Sequence, residues 1–149
     1  MKISPKCINL IETFEGFRGE VYRCPADIPT IGFGSTRDID GKAITMSHPP
    51  ITHAQATALM LATLVQYESA VNRFVTVTLN QNQFDALVDF AYNLGNEALR
   101  GSTLIKLVNT EQFNAAANEF SKWTDAAGKV LPGLVKRRLA EKNLFLSHD

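Results

Sequence analysis

Two cysteines, one tryptophan and no net charge leave this 149-residue chain without several features that commonly mark a specialised partner. Fifteen basic side chains cancel fifteen acidic ones, so no global field favours nucleic acid or an anionic membrane. Cys7 and Cys24 do not make a disulfide framework, which fits synthesis in a reducing cytosol. No apolar run approaches the ~20 residues that cross a bilayer. Met1-Lys2-Ile3-Ser4-Pro5-Lys6 meets polar residues at once and lacks the apolar core of a secretory signal. Repeats, linkers and low-complexity stretches are missing. His48 and His53 are too isolated to suggest zinc, and the Asp38/Asp40 pair lacks the spaced Glu of a calcium loop. No metal or organic cofactor is expected.

With 45% hydrophobic residues, the chain has the composition of a single domain, residues 1–149, able to bury a core. The pattern is one helix, a β-rich segment, then helices to the end. Ser4 and Pro5 open a helix that ends around Phe14, with Gly16 as its C-cap. Val21-Tyr22 and Thr30 to Phe33 read as short strands, and Asp38-Ile39-Asp40-Gly41 as a hairpin-type turn leading into Lys42 to Thr45. Thr52 and Gln55 form a capping box. The helix they open carries Ala56, Met60, Leu64, Tyr67, Val71 and Phe74 at helical spacing, and suits a spine between a small β lobe and a helical lobe. A second capping box, Asn80 and Gln83, precedes Phe84, Leu87, Val88, Ala91 and Leu94, and Gly95 ends that helix. Ser102 and Thr110 are expected to cap two more helices, the latter burying Phe113, Ala116, Ala117 and Phe120, with Trp123 in the core. Gly128 and Pro132-Gly133 punctuate before the last helix. The class is α+β, mainly α.

Lys136, Arg137, Arg138 and Lys142 make the last helix basic. The plainer reading is a solvated face; the other is a surface that touches an anionic polymer or the outer leaflet of a Gram-negative envelope. No exposed apolar stripe is evident beyond the core faces, so a monomer is expected.

Glu15 carries the most chemistry. A carboxylate in the last turn of a helix faces the negative end of the macrodipole, and here it stands between Phe14 and Phe17. Both influences disfavour the charged form. A carboxyl that keeps its proton beside a turn-rich loop is suited to general acid work; an exposed Glu at a helix end is the plainer alternative. The two-lobe layout places a cleft where the lobes meet, with Glu15 on its floor, and a cleft open at both ends suits a polymer.

Glu15, then Cys24, then Thr30 followed at once by Ile31-Gly32-Phe33-Gly34, resembles without a gap the active-site signature of phage-type lysozymes (endolysins of glycoside hydrolase family 24). In that family a Glu near the end of the first helix is followed by an Asp, in some members a Cys, and then a Thr-Ile-Gly-aromatic-Gly strand. Further matches follow in order: Phe90-Ala91-Tyr92-Asn93-Leu94-Gly95, Ser102-Thr103-Leu104, Phe120 to Trp123, and Gly128 to Leu134 with Arg137-Arg138 and Glu141. The resemblance covers nearly the whole chain. It departs at Cys24, where Asp is commoner, at Pro29, where a bulky aromatic is frequent, and at Ser35, where His is frequent.

The resemblance implies a lysozyme-like two-lobe fold with a small β-hairpin lobe, a long connecting helix and a helical lobe. It implies a muramidase that cleaves bacterial peptidoglycan, made in the host cytoplasm and reaching the wall in the periplasm once the membrane is permeabilised. Glu15 would be the acid, Cys24 the second catalytic group, and Thr30 a hydroxyl that holds water or polarises that group. Tyr92, Asn93 and Thr103 match substrate-binding positions, although Tyr92 reads equally well as core. An ordinary thiol is only a few per cent thiolate at neutral pH; the adjacent Arg23 is a candidate to lower the Cys24 pKa. As thiolate it would be a nucleophile, favouring retention of configuration; otherwise it is a packing cysteine. Asp27 is the rival second group, its plainer reading an Asx-turn. Some family members are controlled by a disulfide at the catalytic Cys, but Cys7 lies about two helical turns, roughly 12 Å, before Glu15, so a Cys7–Cys24 bond requires the loop to fold back. Two other functions stay open: peptidoglycan binding without turnover, and lytic transglycosylation, for which one carboxyl suffices.

Overall fold

The computed structural model describes residues 1–148. The order is α1 (Pro5–Glu15), β1 (Arg18–Arg23), β2 (Pro29–Gly32), α2 (His53–Phe74), α3 (Gln81–Leu94), α4 (Asn96–Arg100), α5 (Thr103–Asn109), α6 (Phe113–Glu119), a 3₁₀ turn at Phe120–Lys122, β3 (Asp125–Ala126), β4 (Lys129–Val130) and α7 (Pro132–Leu146). Contacts divide the chain into two units, Ile11–Gln66 and the remainder, with boundaries inside α1 and α2. The expected class, mainly α with a small β hairpin, is the one found.

In the first unit, β1 and β2 pair antiparallel, Tyr22 opposite Thr30 and Arg23 opposite Pro29, with an irregularity between Arg18 and Tyr22. Ile31, Ile44 and Leu59 form a buried cluster under this hairpin, with Val21 and Ile51 packed against it. Gly32 sits at φ +70° with the Cβ of Ala56 3.0 Å from where its own would stand, so conformation and space both require glycine there. The Asp38 turn forms as read: the Gly41 amide donates to the Asp38 carbonyl at 2.9 Å, and Asp40 caps the Lys42 amide at 2.9 Å.

Both capping boxes are present. The Gln55 amide donates to the Thr52 hydroxyl and the Gln55 side chain accepts from the Thr52 amide; Asn80 and Gln83 repeat the arrangement at α3. Thr52→Ala and Asn80→Ala should each lower stability by about 1 kcal/mol without touching the chemistry. Thermal melts of the two variants check this, and unchanged midpoints in both would contradict it.

The second unit is built on α3, buried from Asn82 to Ala91 and packed along α7. Phe90 meets Phe120 and Trp123 edge-on, with ring centroids 5.8 and 5.5 Å away, while Trp123 itself is only half-buried.

Four sequence expectations need correction. Thr110 does not cap α6: it follows α5, and its hydroxyl donates back to the carbonyls of Lys106 and Leu107, while Gln112 starts α6 without a side-chain cap. Gly128 is more than punctuation, because Ala127 (φ 53°) and Gly128 (φ 79°) make the two-residue turn of a short β3–β4 hairpin. The basic face of α7 is half illusory. Arg137 and Arg138 are buried; Arg137 grips Asp89 with two bonds of 3.0 and 2.7 Å, and Arg138 reaches Asn93 at 2.6 Å and Glu141 at 2.8 Å. Burial, then the neighbouring Asp89, pushes the Glu141 carboxyl well above its usual range. Finally, Leu131, Val135 and Leu139, four residues apart, are all exposed on or beside α7, next to an exposed Val130. An apolar stripe therefore exists where none was expected.

Candidate active site

Glu15 is the last residue of α1. The chain reverses there because Gly16 takes φ +71° and returns its amide to the Glu12 carbonyl at 3.0 Å, after which β1 begins. Glu15 is thereby fixed, half-buried, at the entrance to the β hairpin. Of the two flanking aromatics, Phe17 packs against Phe33 and His53, with centroids 5.8 and 5.5 Å distant. One turn earlier, Glu12 accepts from the Thr57 hydroxyl at 2.9 Å and lies 3.8 Å from His53, a structural tie between α1 and α2.

At the far end of β1 the chain turns through residues 24–28. The Asp27 amide donates to the Cys24 carbonyl at 2.7 Å and the Cys24 amide to the Ile28 carbonyl at 3.1 Å; Asp27 takes φ 62° to close the turn. The Cys24 thiol pKa is lowered from its ordinary value first by the Ile28 amide, against an opposing effect of burial, and further by the Ala26 amide and the Thr30 hydroxyl. Amides and a hydroxyl, rather than a neighbouring cation, favour the thiolate. Arg23, expected to play that part, is turned to Asp27 instead, with 3.2 Å to its carbonyl and 3.6 Å to its carboxylate.

Thr30 is buried, and its hydroxyl donates to the Ile28 carbonyl at 2.8 Å. A hydroxyl has one proton, and in this structure Thr30 gives it to the turn carbonyl. Asp27, the rival second group, has a side chain 83% exposed and paired with Arg23. Thr30 is thus among the groups that act on the Cys24 thiol, while Asp27 turns outward to Arg23. Ser35, another departure noted in the sequence, is buried with its backbone tied to Ile31 in both directions at 2.9 Å.

The sequence reading overlooked Arg18 and Tyr22. The guanidinium of Arg18 stands 4.2 Å above the Tyr22 ring, and Tyr22 is the cross-strand partner of Thr30. The signal was present only as register, since residues directly opposite share a face.

Tyr92, Asn93 and Thr103 belong to the other unit. Tyr92 meets Tyr67 edge-on at 5.4 Å, and Asn93 accepts from Arg138. Thr103 opens α5 and, with Leu104, Glu119, Lys122 and Trp123, lines a hollow of about 290 Å³. Both cysteines are free. Cys7 is buried, and burial followed by Asp85 and Asp89 drives its thiol pKa far upward, the opposite of Cys24.

A family model described as phage lysozyme matches residues 12–141. The endolysin of Salmonella phage P22 is 39% identical over 147 residues, covering 99% of each chain. The endolysin of Bacillus phage B103 is 42% identical over the whole of this chain, which spans 56% of that relative's length. Among solved structures, the endolysin from Escherichia coli O157:H7 phage FAHEc1 superposes with a TM-score of 0.90 at 39% identity, covering 98% of this chain and 94% of that one.

Proposed function

Because the chain belongs to the phage lysozyme family, a family of glycoside hydrolases, we propose that it is an endolysin-type muramidase that hydrolyses the bond between N-acetylmuramic acid and N-acetylglucosamine in peptidoglycan during host cell lysis. Glu15 protonates the leaving glycosidic oxygen. Cys24, as thiolate, attacks the sugar or directs the attacking water, and Thr30 steadies its charge. Tyr92, Asn93 and Thr103 contact the glycan. The observation that carries this assignment is the order Glu15 at the end of α1, Cys24 directly after β1 and Thr30 on β2, in a chain that matches the phage lysozyme family over residues 12–141.

No helix among the described residues is long and apolar enough to cross a membrane. We take the chain to be made in the host cytoplasm and to meet the wall after another agent opens the membrane. It acts without metal or organic cofactor.

Mass spectrometry of digested peptidoglycan tests the reaction. Hydrolysis leaves reducing muramic ends. Anhydro-muramic ends would show a transglycosylase, and sacculi bound without cleavage would show a binding domain.

A further inference from the structure

The side chain of Tyr22 is positioned by its neighbours but committed to none of them through its oxygen. Its register places it opposite Thr30, whose hydroxyl is among the groups that lower the Cys24 thiol pKa. Its ring is covered by Arg18 at 4.2 Å, which fixes the ring plane by a cation–π contact. The phenol lies within electrostatic reach of both Glu15 and Cys24: burial first raises its pKa, Arg18 opposes this, and the negative charges of Glu15 and Cys24 raise it further. The hydroxyl hydrogen-bonds to no described residue.

A half-buried phenol of this kind stays protonated throughout the pH range in which carboxyls and thiols titrate. It therefore presents one O–H donor beside two groups that attract positive hydrogen. Neither its burial nor its ring contact uses that donor, and leaving it unmet next to a bound ligand would cost binding.

We propose that Tyr22, held by Arg18, is a glycan-binding residue whose hydroxyl donates to a sugar oxygen seated between Glu15 and Cys24. This rests on the assignment of Glu15 and Cys24 above. The ring stack gives the donor a fixed direction, so the hydroxyl selects the sugar position at which the acid and the thiolate meet the same bond.

Tyr22→Phe keeps the ring and the Arg18 contact and removes only the oxygen. Lysis of permeabilised cells should fall about tenfold in kcat/KM, the size of one lost hydrogen bond, at a temperature where melting curves show both proteins folded. Because the phenol is neutral throughout, the loss should be the same factor at every pH from about 5 to 8. A second arm removes turnover: sacculi sedimented with Glu15→Gln should retain more protein than sacculi with Glu15→Gln, Tyr22→Phe. Equal retention together with full lysis by Tyr22→Phe would overturn the proposal. So would a loss accompanied by a displaced pH limb, since the phenol would then act through the ionisation of Glu15 or Cys24. Should Glu15→Gln itself lyse cells, the underlying site assignment fails, and the sedimentation comparison still reads Tyr22 separately.

Discussion

Glu15→Gln should lose bacteriolytic activity by a factor of about 10² to 10⁴, the usual contribution of a general acid, while its melting curve stays that of the parent protein. The amide has the size and hydrogen-bonding reach of the carboxyl but no acidic proton to give to the leaving oxygen. Glu15 is half-buried at a helix end rather than in a packed core, so the exchange opens no cavity. A Glu15→Asp control separates the proton from its placement, because it keeps an acid and withdraws it by one methylene. Its activity should fall between the other two, as geometry and proton transfer each contribute. The measurement is the rate of turbidity loss on permeabilised Gram-negative cells, and near-parental clearing by Glu15→Gln would remove Glu15 from the mechanism.

That Glu15 was readable in the sequence follows from how locally its position is determined. A helix opened at Pro5 and reversed by Gly16 needs no distant residue to place its last side chain. The capping boxes at Thr52 and Asn80 were legible for the same reason, since donor and acceptor lie three residues apart. Thr110 misled because a threonine after one helix and before another supports two local hydrogen-bond patterns, and the hydroxyl took the backward one. The burial of Arg137 depends on Asp89, 48 residues away, and no local pattern reveals such a partner. The environment of Cys24 was hidden differently. Arg23 is adjacent in sequence, but Asp27 adopts φ 62°, and the turn then offers amides to the sulfur and gives Arg23 to Asp27. Backbone conformation, not side-chain identity, tunes the thiol.

Cys24→Ser should be nearly inactive, whereas Cys24→Asp should lyse cells substantially. For an unperturbed Glu and Cys, reference values differ by about four units, so only about one molecule in 10⁴ carries a protonated carboxyl and a thiolate together. Each unit by which the turn amides lower the Cys24 pKa makes that state about tenfold more populated. The lowering that the turn imposes is therefore in the direction the reaction needs. Serine inherits the amides but ionises far less readily than a thiol, and the working state all but vanishes. Aspartate restores a charge at the same place.

The pH profile gives the sign. When a protonated carboxyl and an ionised thiol of ordinary kind are required together, the alkaline limb follows the thiol. In Cys24→Asp that limb should move to lower pH, because both groups are then carboxyls. Alkylation by iodoacetamide should inactivate the parent and spare Cys24→Asp. Cys7 is buried with its thiol pKa driven upward, so it should react far more slowly, and a Cys7→Ala background confirms the target. Asp27→Asn should be mild, because that side chain is exposed and tied to Arg23. If Asp27→Asn is instead the dead variant and Cys24→Ser clears cells at the parental rate, the second group is the exposed Asp27 carboxylate and the backbone bonds of residues 24–28 serve only the turn.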